Sequence, residues 1–188
     1  MQFNLIFGIV NSIFILKVVK NMDIDFRCEN YRFRLRAGAL IKHGNKVLFS
    51  YIDKADYMAC PGGHLHYGES FIEAVIRETK EEVGVDISHP KLIAVIENFY
   101  PSSKDTREHE IAHYFLAENC DLPEEKLRDY DFTENDEGKI VHLHFRWVDL
   151  DKIDEYDIRP TVLKKVLKEQ KFDTPRHIVW RDNQEIEM

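Results

Sequence analysis

Cysteine is scarce in this 188-residue chain, and the three present, Cys28, Cys60 and Cys120, form no CxxC pair. An odd, widely spaced set suits a reducing compartment better than a disulfide scaffold, so a cytoplasmic location is expected. Positive charge is also in deficit, with 26 Lys and Arg against 34 Asp and Glu and a formal net charge of −8. That balance opposes duplex nucleic acid as a partner, because tight sequence-independent binding needs basic residues to neutralise phosphates. An anionic substrate would need a bridging cation or a local basic patch. No internal repeat or low-complexity tract is present. With 44% hydrophobic and 32% charged residues, neither disorder nor a fibrous class is favoured, and the length suits one core-bearing domain.

Long apolar stretches are confined to residues 3–19, where Asn4, Asn11, Ser12 and Lys17 interrupt the run. No basic residue precedes it and no small-residue cleavage site follows, so a signal peptide fits poorly. A membrane span normally takes about 20 predominantly apolar residues, so membrane association is not expected. Residues 1–28 read as an N-terminal extension: a start set upstream of Met22, a helix docked on the domain or, third, a membrane anchor. Residues 29–182 read as the folded domain and 183–188 as a C-terminal tail.

From Arg32 to Lys42 apolar and basic residues alternate before the run turns wholly apolar, which predicts a strand becoming buried. Gly44-Asn45 predicts a hairpin into a second strand over Lys46–Tyr51. Pro61-Gly62-Gly63 is expected to end the short apolar piece Tyr57–Cys60. A helix is predicted from Ser70 to about Val83, with Ser70 and Glu73 as a capping box and Gly84 as its left-handed stop. Strands follow over Lys91–Phe99, Ile111–Ala117 and Ile140–Val148, and residues 119–139 read as an acidic loop. Short helices are expected at Leu150–Glu155 and Pro160–Lys171 and a last strand at Pro175–Trp180. This order predicts an α/β layered domain with a mixed sheet.

The most informative stretch runs from Gly63 to Val85: Gly63, five residues, Glu69, seven residues, then Arg77-Glu78-Thr79-Lys80-Glu81-Glu82-Val83-Gly84-Val85. On a helix Glu78, Glu81 and Glu82 share one face. Oxygen ligands of this kind suit a hard divalent cation such as Mg²⁺ or Mn²⁺. Phe71, Val75, Glu78 and Glu82 also fall on one line, so two acids continue an apolar stripe and point toward a cleft. Gly62, Gly63 and Gly68 allow close backbone approaches beside them.

The pattern G-x5-E-x7-R-E-U-x-E-E-x-G-U, with U a bulky apolar residue, resembles the signature of the Nudix hydrolases. The strings PGGHLHYGES and HFRWVDL resemble that family's surroundings. Thr79 departs from it, standing where an aliphatic residue is usual. The resemblance implies an α/β/α sandwich around a mixed β-sheet and hydrolysis of a diphosphate linkage in a nucleoside diphosphate derivative. It further implies the Gly63 carbonyl, Glu78, Glu81 and Glu82 as metal ligands, and Glu81 or Glu82 as the group that deprotonates or orients water. By the same token Arg77 would hold a glutamate, while Glu69, Gly62 and Gly68 would order the loop. A small nucleotide would be the partner, and a homodimer is an available assembly. The alternative is a Nudix-like module that binds a nucleotide and regulates without turnover. A second rival is isopentenyl diphosphate isomerase chemistry, for which Cys60 would serve.

Weaker signals surround the motif. Arg32, Arg34 and Arg36 project to one strand face, and Arg36 is a candidate for substrate phosphate; His109 and Glu110 at a strand opening are candidates for touching substrate, and by the resemblance Glu134, Asp136 and Glu137 in the acidic loop are candidates for an additional catalytic acid, Glu137 also for a substrate contact. His64-x-His66 and His142-x-His144 have the spacing of zinc ligands but no third partner at standard spacing. Tyr57, Phe99 and Tyr100 are candidates for stacking a base or for core packing.

Overall fold

The computed structural model describes residues 22–118, 120–136 and 139–187, without the side chains of 134–136 and 139. The three readings of residues 1–21 lie outside the described residues. Among the described residues no helix is long and apolar enough to cross a membrane.

The described chain forms a ten-stranded mixed sheet. Its strands are β1 (Asp25–Cys28), β2 (Tyr31–His43), β3 (Lys46–Ile52), β4 (Gly62–His64), β5 (Lys91–Pro101), β6 (Arg107–Glu118), β7 (Tyr130–Asp136), β8 (Lys139–Asp149), β9 (Arg176–Arg181) and β10 (Gln184–Ile186). Their order is β10-β9-β5-β6-β2-β3-β8-β7, with β1 and β4 also paired to β2. The β2–β6 and β5–β9 pairs are parallel and the rest antiparallel.

Alternation along β2 builds both cores. Ala37, Ala39 and Ile41 meet Ala74 and Val75 of helix α1 (Phe71–Glu78), while Leu40 joins Val162, Leu163, Val166 and Leu167 of helix α2 (Val162–Glu169). One helix covers each face, which makes the domain an α/β/α sandwich. Ser70 caps α1 with the predicted capping box. The predicted helical run does not continue as one regular helix: Thr79–Val83 forms a π-helical turn, and Gly84 then ends it at φ 70°.

Three further local expectations change. Gly62-Gly63 does not simply break structure but forms β4 against β2. Tyr130–Asp136, expected as loop, is an edge strand on β8, its apolar Tyr130 and Phe132 alternating with polar residues. The sheet also runs past the predicted 29–182 limits, through β1 on one side and β10 on the other.

Leu163 is fully buried, so Leu163→Ala should lower unfolding free energy by about 2–5 kcal/mol. Ser70→Ala, losing one cap, should cost about 1 kcal/mol. Urea denaturation of the two variants measures the contrast.

Candidate active site

The site begins with the close approach of β4 to β2. Gly62 has φ 140°, and a Cβ there would stand 2.1 Å from the Ala37 carbonyl oxygen. Its N–H donates to Glu82 Oε2 at 2.9 Å, which ties the end of the helical segment to the strand. A Cβ at Gly63 would lie 2.3 Å from Glu78 Oε1, so only glycine lets that carboxylate rest against the backbone. Gly68 sits in the following turn at φ 80°.

Arg77 binds most of these parts together. Its Nε and Nη2 fork Glu69 at 2.8 and 2.9 Å, and Nη1 donates to Glu78 at 2.7 Å and Glu81 at 3.1 Å. Nη2 also donates to the His64 carbonyl at 3.0 Å, and Glu69 accepts from the His66 N–H at 2.9 Å. Burial works to raise the pKa of Glu69, but the hydrogen bonds from Arg77 and His66 outweigh it and hold the carboxyl below its ordinary value. For Glu78 burial wins over Arg77 and the carboxyl is raised. Thr79 is buried, and its hydroxyl donates to the Val75 carbonyl at 2.7 Å, which satisfies the polar group at the position where the motif departs from its pattern.

Beside Glu82 lies a cleft of about 180 Å³, bordered among others by Arg36, Tyr51, Tyr57, Cys60 and Gly62. Arg36 donates to the Cys60 carbonyl at 3.1 Å. Glu110 is buried behind this wall, 2.9 Å from Arg34 Nε, and does not border the cleft. His109 projects to the opposite sheet face, stacked on Phe99 at 4.3 Å and edge-on to Phe33 at 5.1 Å. Glu137 lies outside the described residues. Of the three candidate base-stacking residues, Tyr57 borders the cleft, whereas Phe99 packs on His109 and Arg181 and Tyr100 meets Arg34. Tyr51 was not singled out by sequence; its place on the Phe49 face of β3, near the strand's end, was the available signal.

Burial pushes the Cys60 thiol up to about 12. It is therefore a protonated, buried thiol at neutral pH and supplies no thiolate nucleophile. His64 and His66 both face Asp23, at 3.3 and 3.4 Å. Among the described residues no group of three or more His, Cys, Asp or Glu side chains is arranged to hold an ion. Glu78 and Glu81 turn instead to Arg77, and Glu82 to Gly62. In kind the motif donors fit a hard divalent cation: oxygen only, anionic, and set against glycine backbone that a side chain would displace.

A strand-loop-helix unit with this carboxylate set, on a mixed sheet with a helix on each face, defines the class. The NUDIX domain family model matches residues 32–170, and the chain belongs to the Nudix family. It is 30% identical over 116 residues to U3 small nucleolar RNA-associated protein 16 of Saccharomyces cerevisiae, covering 61% of this chain and 52% of that protein. It is 29% identical over 109 residues to the ADP-ribose pyrophosphatase of Methanocaldococcus jannaschii, covering 54% and 60%. The chain thus spans only part of the length of these curated relatives, 52% and 60%. The crystal structure of the MutT protein from Bacillus halodurans shares the fold, with a TM-score of 0.55 at 16% identity over 82% of this chain and 95% of that one.

The lowered Glu69 pKa sets a sign for pH dependence. Its ionised form contributes stability above the ordinary value of 4.5, and that contribution is lost as pH falls through the lowered folded value. Glu69→Gln should therefore be less stable than wild type at pH 7, with the difference shrinking below that ordinary value. Paired thermal melts across pH 3–7 measure it.

Proposed function

We propose that this chain is a divalent-metal-dependent hydrolase that cleaves the P–O–P linkage of a nucleoside diphosphate derivative with water. The observation that carries the reading is the Arg77 hub, which gathers Glu69, Glu78 and Glu81 while Gly62 fixes Glu82 at the cleft. The Gly63 carbonyl, Glu78, Glu81 and Glu82 would hold Mg²⁺ or Mn²⁺. Such an ion supplies charge neutralisation on diphosphate oxygens and a water nucleophile near neutral pH.

The chain's own residues do the rest. Glu82, held by the Gly62 N–H, accepts or orients the proton of the attacking water, with Glu81 as the other candidate. Arg77 keeps the carboxylates from repelling one another out of place. Arg36 presents cationic charge to the phosphate side of the cleft, while Glu110 acts behind it and His109 from the other face takes no direct part. Tyr51 and Tyr57 offer apolar walls for the rest of the substrate. The relative named as an ADP-ribose pyrophosphatase supports a nucleotide-sugar diphosphate among the substrates to be tried. A cytoplasmic location accords with the free cysteines.

With Mg²⁺ or Mn²⁺ present, a panel of nucleoside diphosphate derivatives including ADP-ribose should show turnover. Glu82→Gln should lose about 10²–10⁴-fold in kcat, the usual range for a general base. No product from any member, with nucleotide binding that survives Glu82→Gln, would replace the enzyme by a regulatory binding module.

A further inference from the structure

The two histidines of His142-x-His144 lie on β8, between β3 on one side and β7 on the other. His142 is exposed, with Nδ1 3.2 Å from the Thr133 hydroxyl. His144 stands in a cross-strand row with Tyr51 of β3 and Asp131 of β7, and both of its ring nitrogens are taken. Nε2 lies 2.8 Å from Asp53 and Nδ1 2.9 Å from Asp131. The ring also stacks on Tyr51 at 4.8 Å with the planes 27° apart. Arg146 holds that tyrosine from a second direction, donating to its hydroxyl at 3.2 Å and to Asp131 at 3.2 Å.

A carboxylate only accepts hydrogen bonds, so an imidazole set between two of them carries a proton on each nitrogen. The surroundings favour that cation. Asp53 with Lys54 comes from the end of β3, Asp129 and Asp131 from the start of β7, and Arg146 from β8 beside the neutral-capable His142. Three carboxylates thus face two fixed cations, and a charged His144 balances them. Its hydrogen bonds to Asp53 and Asp131 outweigh burial and raise its pKa above the ordinary 6.5, while the same bonds lower both carboxyls.

This row reaches the cleft through β3. Asp53 is the first residue beyond that strand, and its neighbours Ile52, Ala55 and Tyr57 border the cleft together with Tyr51. Asp131 has Arg146 as a second donor, whereas His144 is the one side-chain hydrogen-bond partner of Asp53 among the described residues. Loss of one proton would turn a nitrogen lone pair toward a carboxylate. Whichever nitrogen kept its proton, the two carboxylates would no longer be joined through the ring.

We propose that His144 is a positioning residue for the cleft wall: as an imidazolium it clamps Asp53 to Asp131, holding Tyr51 and the turn through Tyr57 in the substrate-binding arrangement, and it loses that hold on deprotonation. The inference rests on the proposed hydrolase reading and adds to it a proton-controlled element of substrate affinity outside the family motif. The clamp is fully present below the ordinary histidine value and is lost as pH rises through the raised one. Each tie is partly exposed to water, so the effect on affinity is a few-fold.

Nuclear magnetic resonance without substrate follows the His144 ring and the Ala55 and Tyr57 amides from about pH 5.5 to about pH 9, the range in which histidine titrates. The ring should titrate above 6.5 with both amides following the same midpoint, and Asp53→Ala should bring the midpoint down toward 6.5. On ADP-ribose, or the panel member that wild type turns over, His144→Gln should raise KM about threefold at about pH 6 and leave it unchanged at about pH 9, with kcat within about twofold throughout. Asp53→Ala, which keeps the histidine, should raise KM in the same way and serves if the glutamine variant does not fold. A ring midpoint at or below 6.5, amides that do not follow it, or a wild-type KM in both variants at about pH 6 would overturn the inference and leave the hydrolase reading standing. A wild type that turns over no substrate would overturn the hydrolase reading and this inference with it.

Discussion

One guanidinium organises the functional end of this protein. Three glutamates crowd into a partly buried corner, and like charges at helical spacing repel. Arg77 offsets that repulsion with four charge-assisted hydrogen bonds to Glu69, Glu78 and Glu81, interactions roughly twice as strong as neutral ones. Its fifth bond, to the His64 carbonyl, fastens the helix to the last residue of the glycine strand. A lysine could not do this, because a point charge lacks the planar fork that satisfies two carboxylate oxygens at once.

The backbone around that guanidinium is shaped to serve it. β4 can lie on β2 only because Gly62 tolerates contact with the Ala37 carbonyl, and Glu78 can lie on β4 only because Gly63 has no side chain. Where the helix would have continued, Thr79 returns its hydroxyl to Val75 and the chain widens into a π-helical turn. Such turns recur at functional sites because they re-aim the residues that follow. Here the residues re-aimed are Glu81 and Glu82, one toward Arg77 and the other toward Gly62.

Much of this was legible in the sequence because it follows local rules. The alternating run through Arg36, the Gly44-Asn45 turn, the Ser70–Glu73 capping box and the Gly84 stop are each set by residues within one or two turns of one another. The family resemblance implied that Arg77 holds a glutamate, and in the structure Arg77 holds Glu69, Glu78 and Glu81. What escaped depends on partners distant in sequence. Tyr130–Asp136 becomes a strand because β8 offers it an edge, against the low strand preference of its Asp and Asn residues. His109 was assigned to the substrate side because a strand's facing depends on its register with β2 and β5, which its own residues do not fix. The π-helical turn has no marker in the sequence beyond Thr79 itself.

The pairing of β1 has a mechanical consequence. Backbone hydrogen bonds from Ile24 to Leu65 and from Tyr67 to Met22 lace the segment at 22–28 to the chain just after the glycine strand, and Ile24 also accepts from Leu35. These bonds form a narrow seam at one border of the sheet, whereas β2 and β6 are zipped over twelve residue pairs. Tension applied at residue 22 would open the seam one bond at a time before it loaded the long parallel zipper. Pulled from residue 22, the loop after the glycine strand thus loses its lateral ties first, while the two-sided core behind it stays closed.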